Sequence, residues 1–244
     1  MSNKNSNSYI IIYTCILTIA CGTILYLAAS FLKPAQDANI ELDRKKKILS
    51  TIIKLDKTWT PAKVEETYNS RVKGYVVDFS GKVLENVNVE TVNIDAEYKK
   101  PAKERQYPVY EITSESNPNE TEFYVIAGSG KGLWDKISAF ISLKNDLATI
   151  NGIVFSHKAE TPGLGARITD DEAVYSRYAG KTIFEGENIA PIVMKKGEGN
   201  DYSNDPHAVD GMSGATKTAI GVNDMLADYL TAYESFIKSK KSKI

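Results

Sequence analysis

Twenty-five consecutive residues without a charge, Ser8 to Leu32, stand between Lys4 and Lys33 and limit what this chain can become. Such a run spans the roughly 30 Å hydrocarbon core of a bilayer with some tilt. Tyr9, Tyr13, Tyr26 and Phe31 sit toward its ends, where aromatic rings favour the membrane interface. A cleaved signal peptide has a much shorter apolar core, roughly 7 to 15 residues. Lipoprotein-type cleavage before Cys21 would leave the apolar residues through Leu32 exposed. The sequence therefore predicts a tail over 1–7 and an uncleaved membrane helix over 8–32.

The rest of the chain has near-balanced charge, 30 basic against 31 acidic residues in 244 overall, and room for one domain with a proper core. No charge excess points to nucleic acid. Cys15 and Cys21 both lie in the apolar run, so the remainder holds no disulfide framework, thiolate metal site or iron–sulfur cluster of its own. His157 and His207 have no second ligand at helical spacing and read as polar loop residues.

In chain order, apolar residues from Ile40 to Ile53 recur on a helical period around basic Arg44 to Lys47, predicting a juxtamembrane helix over Asp37 to about Leu55. Thr60-Pro61 ends it, so 33–60 reads as helix and linker and 61–244 as the soluble domain. Gly74 to Phe79 and Lys82 to Ile94 alternate around Ser80-Gly81 as a hairpin would. A polar stretch follows, with a short strand at Val109 to Ile112. Strands are expected at Phe123 to Ala127, ending in a tight glycine turn, at Trp134 to Leu143 and at Ala148 to Phe155, then a helix over Asp170 to Tyr178 and short strands at 181–184 and 189–194. The fold class predicted is α+β: one membrane helix plus a domain of mainly antiparallel sheet with packed helices.

Three stretches carry chemistry. Gly128-Ser129-Gly130-Lys131-Gly132 is not a nucleotide-binding P-loop, because no Ser or Thr follows the lysine to hold magnesium. In Glu160-Thr161-Pro162-Gly163-Leu164-Gly165, one fixed torsion and two glycines allow a defined loop to lie against a flat ring. Leu164 offers an apolar contact, Thr161 and the loop amides offer hydrogen bonds, and Glu160 can hold the loop or bias a ring's protonation. Asp210-Gly211-Met212-Ser213-Gly214-Ala215-Thr216 opens a helix whose apolar residues run from Ile220 to Ile237 and whose far end is loaded with lysines, through Lys243. Its N-terminal end is an anion site. The plain alternative is that Ser213 and Thr216 cap the helix. Lys195 and Lys196 read as a solvated pair.

Asp-Gly-Met-Ser-Gly-Ala-Thr at 210–216 resembles the flavinylation motif of the C-subunit family of the sodium-translocating NADH:quinone oxidoreductase, and of the related G subunit of the Rnf complex. Glu160 to Gly165 and Gly130-Lys131-Gly132-Leu133-Trp134 match two further family signatures in the family's order. The resemblance covers essentially the whole chain. It implies one covalent FMN, phosphoester-linked to Thr216 by a flavin transferase that uses FAD as donor, with Ser213, Gly214, Ala215, Asp210, Glu160, Thr161, Gly163, Leu164 and Gly165 about the cofactor. It implies an electron relay in an inner-membrane complex of six subunits that carries electrons from NADH toward ubiquinone or menaquinone and exports sodium. No complete activity belongs to this chain alone, which has neither a dinucleotide fingerprint nor an obvious quinone site.

A positive-inside count would put the domain in the cytoplasm, whereas the family places it on the periplasmic side; the expectation follows the family. Three other readings stay open: the Rnf subunit, a stand-alone flavinylated electron carrier, and a membrane-anchored binding module whose 210–216 stretch is only a helix cap.

Overall fold

The computed structural model describes residues 6–56 and 58–242, and the chain divides into two units, Met1–Arg44 and Lys45–Ile244. Residues 1–5 of the predicted tail, and Lys243, lie outside the described residues.

The first unit is helical. Helix α1 (Asn7–Ser50) continues through Pro34 and is long and apolar enough to cross a membrane by length and composition. The hydroxyls of Thr14, Thr18 and Thr23 donate back to the carbonyls of Ile10, Thr14 and Ile19, each at 2.8 Å. These three threonine hydroxyls are thus satisfied inside the helix, as hydrocarbon surroundings require. The helix stops at Ser50, short of the expected Leu55.

The second unit opens with the last residues of α1, of which Ile48 and Leu49 are buried. Helix α2 (Pro61–Arg71) begins with Thr60 accepting from the Lys63 amide and with proline in its first turn, where a missing N–H costs nothing. Strands β1 (Val72–Val77), β2 (Tyr107–Thr113), β3 (Thr121–Lys131), β4 (Lys136–Lys144) and β5 (Ile150–His157) form one antiparallel sheet in sequence order. Short helices α3 (Ile94–Glu97), α4 (Arg167–Asp170) and α5 (Glu172–Tyr175) and the two-residue strands β6 (Phe184–Glu185), β7 (Asn188–Ile189), β8 (Val193–Met194) and β9 (Ala208–Val209) surround it. Helix α6 (Thr216–Lys241) packs on β3. The α+β class expected from the sequence is the one observed.

The core lies between α6 and the sheet. Tyr107 meets Tyr229 and Tyr233 edge to face at centroid distances of 6.0 and 5.2 Å, and the buried Tyr233 hydroxyl donates to the Pro108 carbonyl at 2.7 Å. The approach of α6 also explains Gly128 and Gly130. A Cβ on Gly128 would stand 3.0 Å from the Tyr229 ring, and one on Gly130 only 2.7 Å from Met225 Cβ. Gly128 and Gly130 are not the tight turn expected after Ala127: β3 runs through them to Lys131, they are glycines because a helix lies on them, and the turn comes later, where the Gly132 amide donates to the Asp135 carbonyl.

Two further expectations are corrected. No hairpin spans 74–94. The turn expected at Ser80-Gly81 forms, with the Asp78 carboxylate accepting from the Ser80 and Lys82 amides and the Asp78 and Leu84 amides donating to the Lys82 and Val76 carbonyls, but the pairing ends at Leu84 and the chain then leaves the sheet. The alternation over 82–94 records burial of Val89 and Val92 rather than a paired strand. β2 instead fills the place beside β1, as a buried inner strand rather than a surface one. Over 170–178 the single helix expected is broken into α4, α5 and a 3-10 turn, with Asp171 capping α5.

Candidate functional site

The buried carboxylate of Glu160, 4% exposed, joins three stretches far apart in sequence. Its Oε1 accepts from the Trp134 amide at 3.0 Å and its Oε2 from the Thr218 hydroxyl at 2.5 Å. Gly132 and Gly165 approach it so closely that a Cβ on either would collide with it. The Glu160 amide donates to His157 Nδ1 at 3.3 Å, so this histidine serves the loop. Trp134 Nε1 donates to Thr161 Oγ1 at 3.1 Å, pinning the 132–135 turn to the 160–165 loop. The loop closes on itself through the Leu164 and Ala166 amides, which donate to the Thr161 carbonyl. Gly163, at φ +75°, makes the reversal that other residues resist.

The same loop reaches the start of α6. A Cβ on Gly214 would lie 2.8 Å from Leu164 Cδ2, so the absence of a side chain there lets Leu164 lie against the backbone ahead of Thr216. Upstream, Arg177 Nη1 donates to the carbonyls of Asp210 and Gly211 at 3.0 and 2.8 Å. The Asp210 carboxylate accepts from the Gly199 amide at 2.7 Å and from Asn200 at 3.3 Å. Its desolvation opposes ionisation, but these donors outweigh it and hold the group below the usual carboxylate range. Glu198 accepts from the Ser213 amide at 2.9 Å and pairs with Arg167, which also binds Asp171. The Arg167 hydrogen bond first, and the Ser213 amide second, lower Glu198 to about 2.

Thr216 is the first residue of α6 and is exposed, as are Ser213 and Gly214, while Ala215 is buried. The plain capping alternative does not describe this helix: its N-cap is Ala215, with no side-chain capping bond. The first-turn amides have no acceptor within the helix, and the positive end of the dipole lies among them. Of the six large apolar side chains exposed among the described residues of the second unit, four belong to this region: Leu133, Trp134, Leu164 and Ile220. An exposed hydroxyl, first-turn amides without helical acceptors and an apolar rim that includes Leu164 fit a flat group with a phosphate at one end.

Every residue singled out from the sequence falls in this region. Thr216, Ser213, Gly214, Thr161, Gly163 and Leu164 lie at its surface. Glu160 and Gly165 are buried behind it, and Asp210 faces the 197–200 loop. Lys195 and Lys196 are exposed. Sequence reasoning did not single out Arg167, Arg177, Glu198 or Thr218; apart from the Arg167–Asp171 pair at helical spacing, they act on backbone or on side chains far away in the chain and follow no spacing rule. It placed Ile220 in the buried series of α6, yet that side chain is 45% exposed.

Comparison with known proteins gives a consistent result. Residues 132–231 match the FMN-binding domain family. The C subunit of the Na(+)-translocating NADH-quinone reductase of Haemophilus ducreyi is 31% identical over 91% of this chain and 89% of its own length. The crystal structure of the C subunit of the Na(+)-translocating NADH-quinone reductase from Parabacteroides distasonis superposes with a TM-score of 0.72 at 30% identity, over 84% of this chain and 96% of that one. Shewanella oneidensis NqrC shares the fold, with a TM-score of 0.71 at 23% identity, over 85% of this chain and 99% of that one.

Proposed function

Because the chain belongs to the C-subunit family of the Na(+)-translocating NADH-quinone reductase, an oxidoreductase, and has an FMN-binding domain, we propose that it is an electron-relay subunit with one FMN phosphoester-linked to Thr216. The observation that carries this reading is the exposed, uncapped Thr216 at the head of α6, brought through Gly214 against Leu164.

The residues have distinct roles. Thr216 Oγ1 is the nucleophile during maturation: it bonds to the flavin-side phosphorus of FAD as the phosphoanhydride breaks, AMP leaves and the hydroxyl proton is lost. A flavin transferase performs this step. The first-turn amides and the helix dipole then stabilise the phosphoryl charge without a side-chain cation. Gly214 gives Leu164 room beside the turn that leads to Thr216, Ser213 stays exposed there, and buried Ala215 seats that turn on the core. Leu164 and Trp134 offer apolar faces to the ring, and Thr161 with the backbone of Gly163 and Gly165 serves its polar edge. Glu160 and Asp210 hold the two loops from behind. Bound FMN supplies reversible electron transfer, which the chain's own side chains lack. A covalent tether keeps an open site filled where free FMN is scarce.

In this reading the segment over 8–32 is a single-pass anchor in the inner membrane, 33–60 connects it, and the 61–244 domain works on the periplasmic side. The other members of a complex of six subunits deliver electrons from NADH and pass them toward ubiquinone or menaquinone, with sodium export. The chain alone oxidises no NADH.

The test is the intact mass of the full chain after co-expression with an active flavin transferase. The expected gain is one FMN less a water, absent from Thr216→Ala. No gain in the wild type, with the transferase shown active on another substrate, leaves a membrane-anchored binding module as the reading.

A further inference from the structure

We propose that Thr218, through its buried hydrogen bond to Glu160, is a positioning residue that registers the anchoring turn of α6 against the ring-binding loops. The proposal rests on the flavin reading above and deepens it.

Thr218 is 1% exposed and stands two residues after Thr216, on the inward side of the same turn. Its hydroxyl is consumed by Glu160 Oε2 at 2.5 Å rather than by the helix backbone. Glu160 is itself buried, and its other oxygen accepts from the Trp134 amide, whose ring nitrogen in turn holds Thr161. One path of bonds, Thr218 to Glu160 to Trp134 to Thr161, therefore links the turn that carries the anchor to both loops that would face the ring. Gly165 and Gly132 have no side chains where the path passes, and any side chain there would displace it. Dispersion contacts could hold these elements near one another, but a directional bond between a hydroxyl and a carboxylate fixes their register to a fraction of an ångström.

The path also holds a carboxyl group in place. Glu160 accepts from the Trp134 amide and from the Thr218 hydroxyl, and among the described residues no cation forms an ion pair with it. A carboxylate behind a redox ring opposes addition of an electron to that ring, so the ring's potential reads where Thr218 holds this group.

The experiment uses the detergent-solubilised full chain, flavinylated by co-expression, as wild type, Thr218→Ser, Thr218→Val and Glu160→Gln. Loading is read by intact mass, ring order by visible circular dichroism of the flavin, and potential by redox titration. Thr218→Ser keeps the donor and is expected to match the wild type in all three. Thr218→Val is expected to carry FMN yet lose most of the visible dichroism. Glu160→Gln keeps the shape and removes the charge, and its midpoint potential is expected to rise. Wild-type dichroism in Thr218→Val overturns the positioning role. Should Thr218→Val fail to fold, Glu160→Gln decides, and a potential equal to the wild type overturns the proposal. A wild type that gains no FMN mass defeats the flavin reading itself, before any variant is compared.

Discussion

The two ends of α6 are held in place by different physics. From Val222 to Ile237 the helix contributes Leu226, Tyr229, Leu230, Tyr233, Phe236 and Ile237, all at most 5% exposed, and it meets the sheet through rings and aliphatic side chains. Around Thr216 the contacts are instead hydrogen bonds to carboxylates and arginines, with Leu164 and Ile220 left partly in solvent. The far end supplies stability and is indifferent to chemistry. The near end supplies geometry and leaves the Thr216 hydroxyl open. Because one helix spans both, rigidity generated in the core is delivered to the site.

The sharpest way to break this contrast is to damage each end separately. Leu230 is fully buried in the core, and Leu230→Ala removes its packing and leaves a cavity. A loss of about 2–5 kcal/mol is expected, read as a lower urea midpoint with unchanged slope. FMN per folded chain, by mass, should stay at the wild-type level. Equal losses of stability and of loading per folded molecule would mean that the two ends are one unit.

Arg177→Ala attacks the other end. It removes the donor to the Asp210 and Gly211 carbonyls, which are part-buried and have a charge-assisted partner in Arg177 Nη1. The expected stability cost is smaller, about 1–3 kcal/mol. The rate at which the transferase loads FMN should fall more than the urea midpoint suggests, because the strand of backbone leading to Thr216 loses its clamp. A loading time course at fixed transferase concentration checks it. Unchanged loading alongside the stability loss would show that Asp210 and Gly211 need only the 197–200 loop.

The difference between the two ends also decides what could be read in the sequence. The helical period after Thr216 announces itself because burial on one face leaves a local rhythm, whereas the run over 8–32, and the strands β3 and β4 buried on both faces, are legible as continuous apolar stretches. The rhythm fails where burial is shared by unlike elements: over 82–94 it suggests a hairpin, although it records the burial of Val89 and Val92 and the packing of Ile94 against the core. Gly128 and Gly130 look like a turn because their cause, the Tyr229 and Met225 side chains, lies about a hundred residues away. The site divides in the same way. Thr216 and Leu164 sit in compact stretches and are legible. Thr218 to Glu160 spans 58 positions, Arg177 to Asp210 spans 33 and Ser213 to Glu198 spans 15, so no spacing rule connects the partners. Side chains that bind backbone leave little composition signal, since many polar residues can donate or accept.

The smallest effect sharpens the contrast by pH. Arg167 and the Ser213 amide hold Glu198 at about 2 in the folded chain, against an ordinary value of 4.5. A carboxyl whose folded value is depressed contributes stability that is fully present above 4.5 and is lost as pH falls toward about 2. Glu198 belongs to the near end and is only partly covered, so solvent screens the pair and its share of global stability is small. Glu198→Gln should therefore be slightly less stable than the wild type near neutral pH. The gap between their urea midpoints should hold down to about pH 5 and close below it as the wild-type carboxylate takes up its proton. Below that pH, Leu230→Ala should stay as far from the wild type as it was at neutral pH, because packing has no proton to lose. A Glu198→Gln gap that persists into acid would mean that the glutamate holds Ser213 by shape rather than by charge.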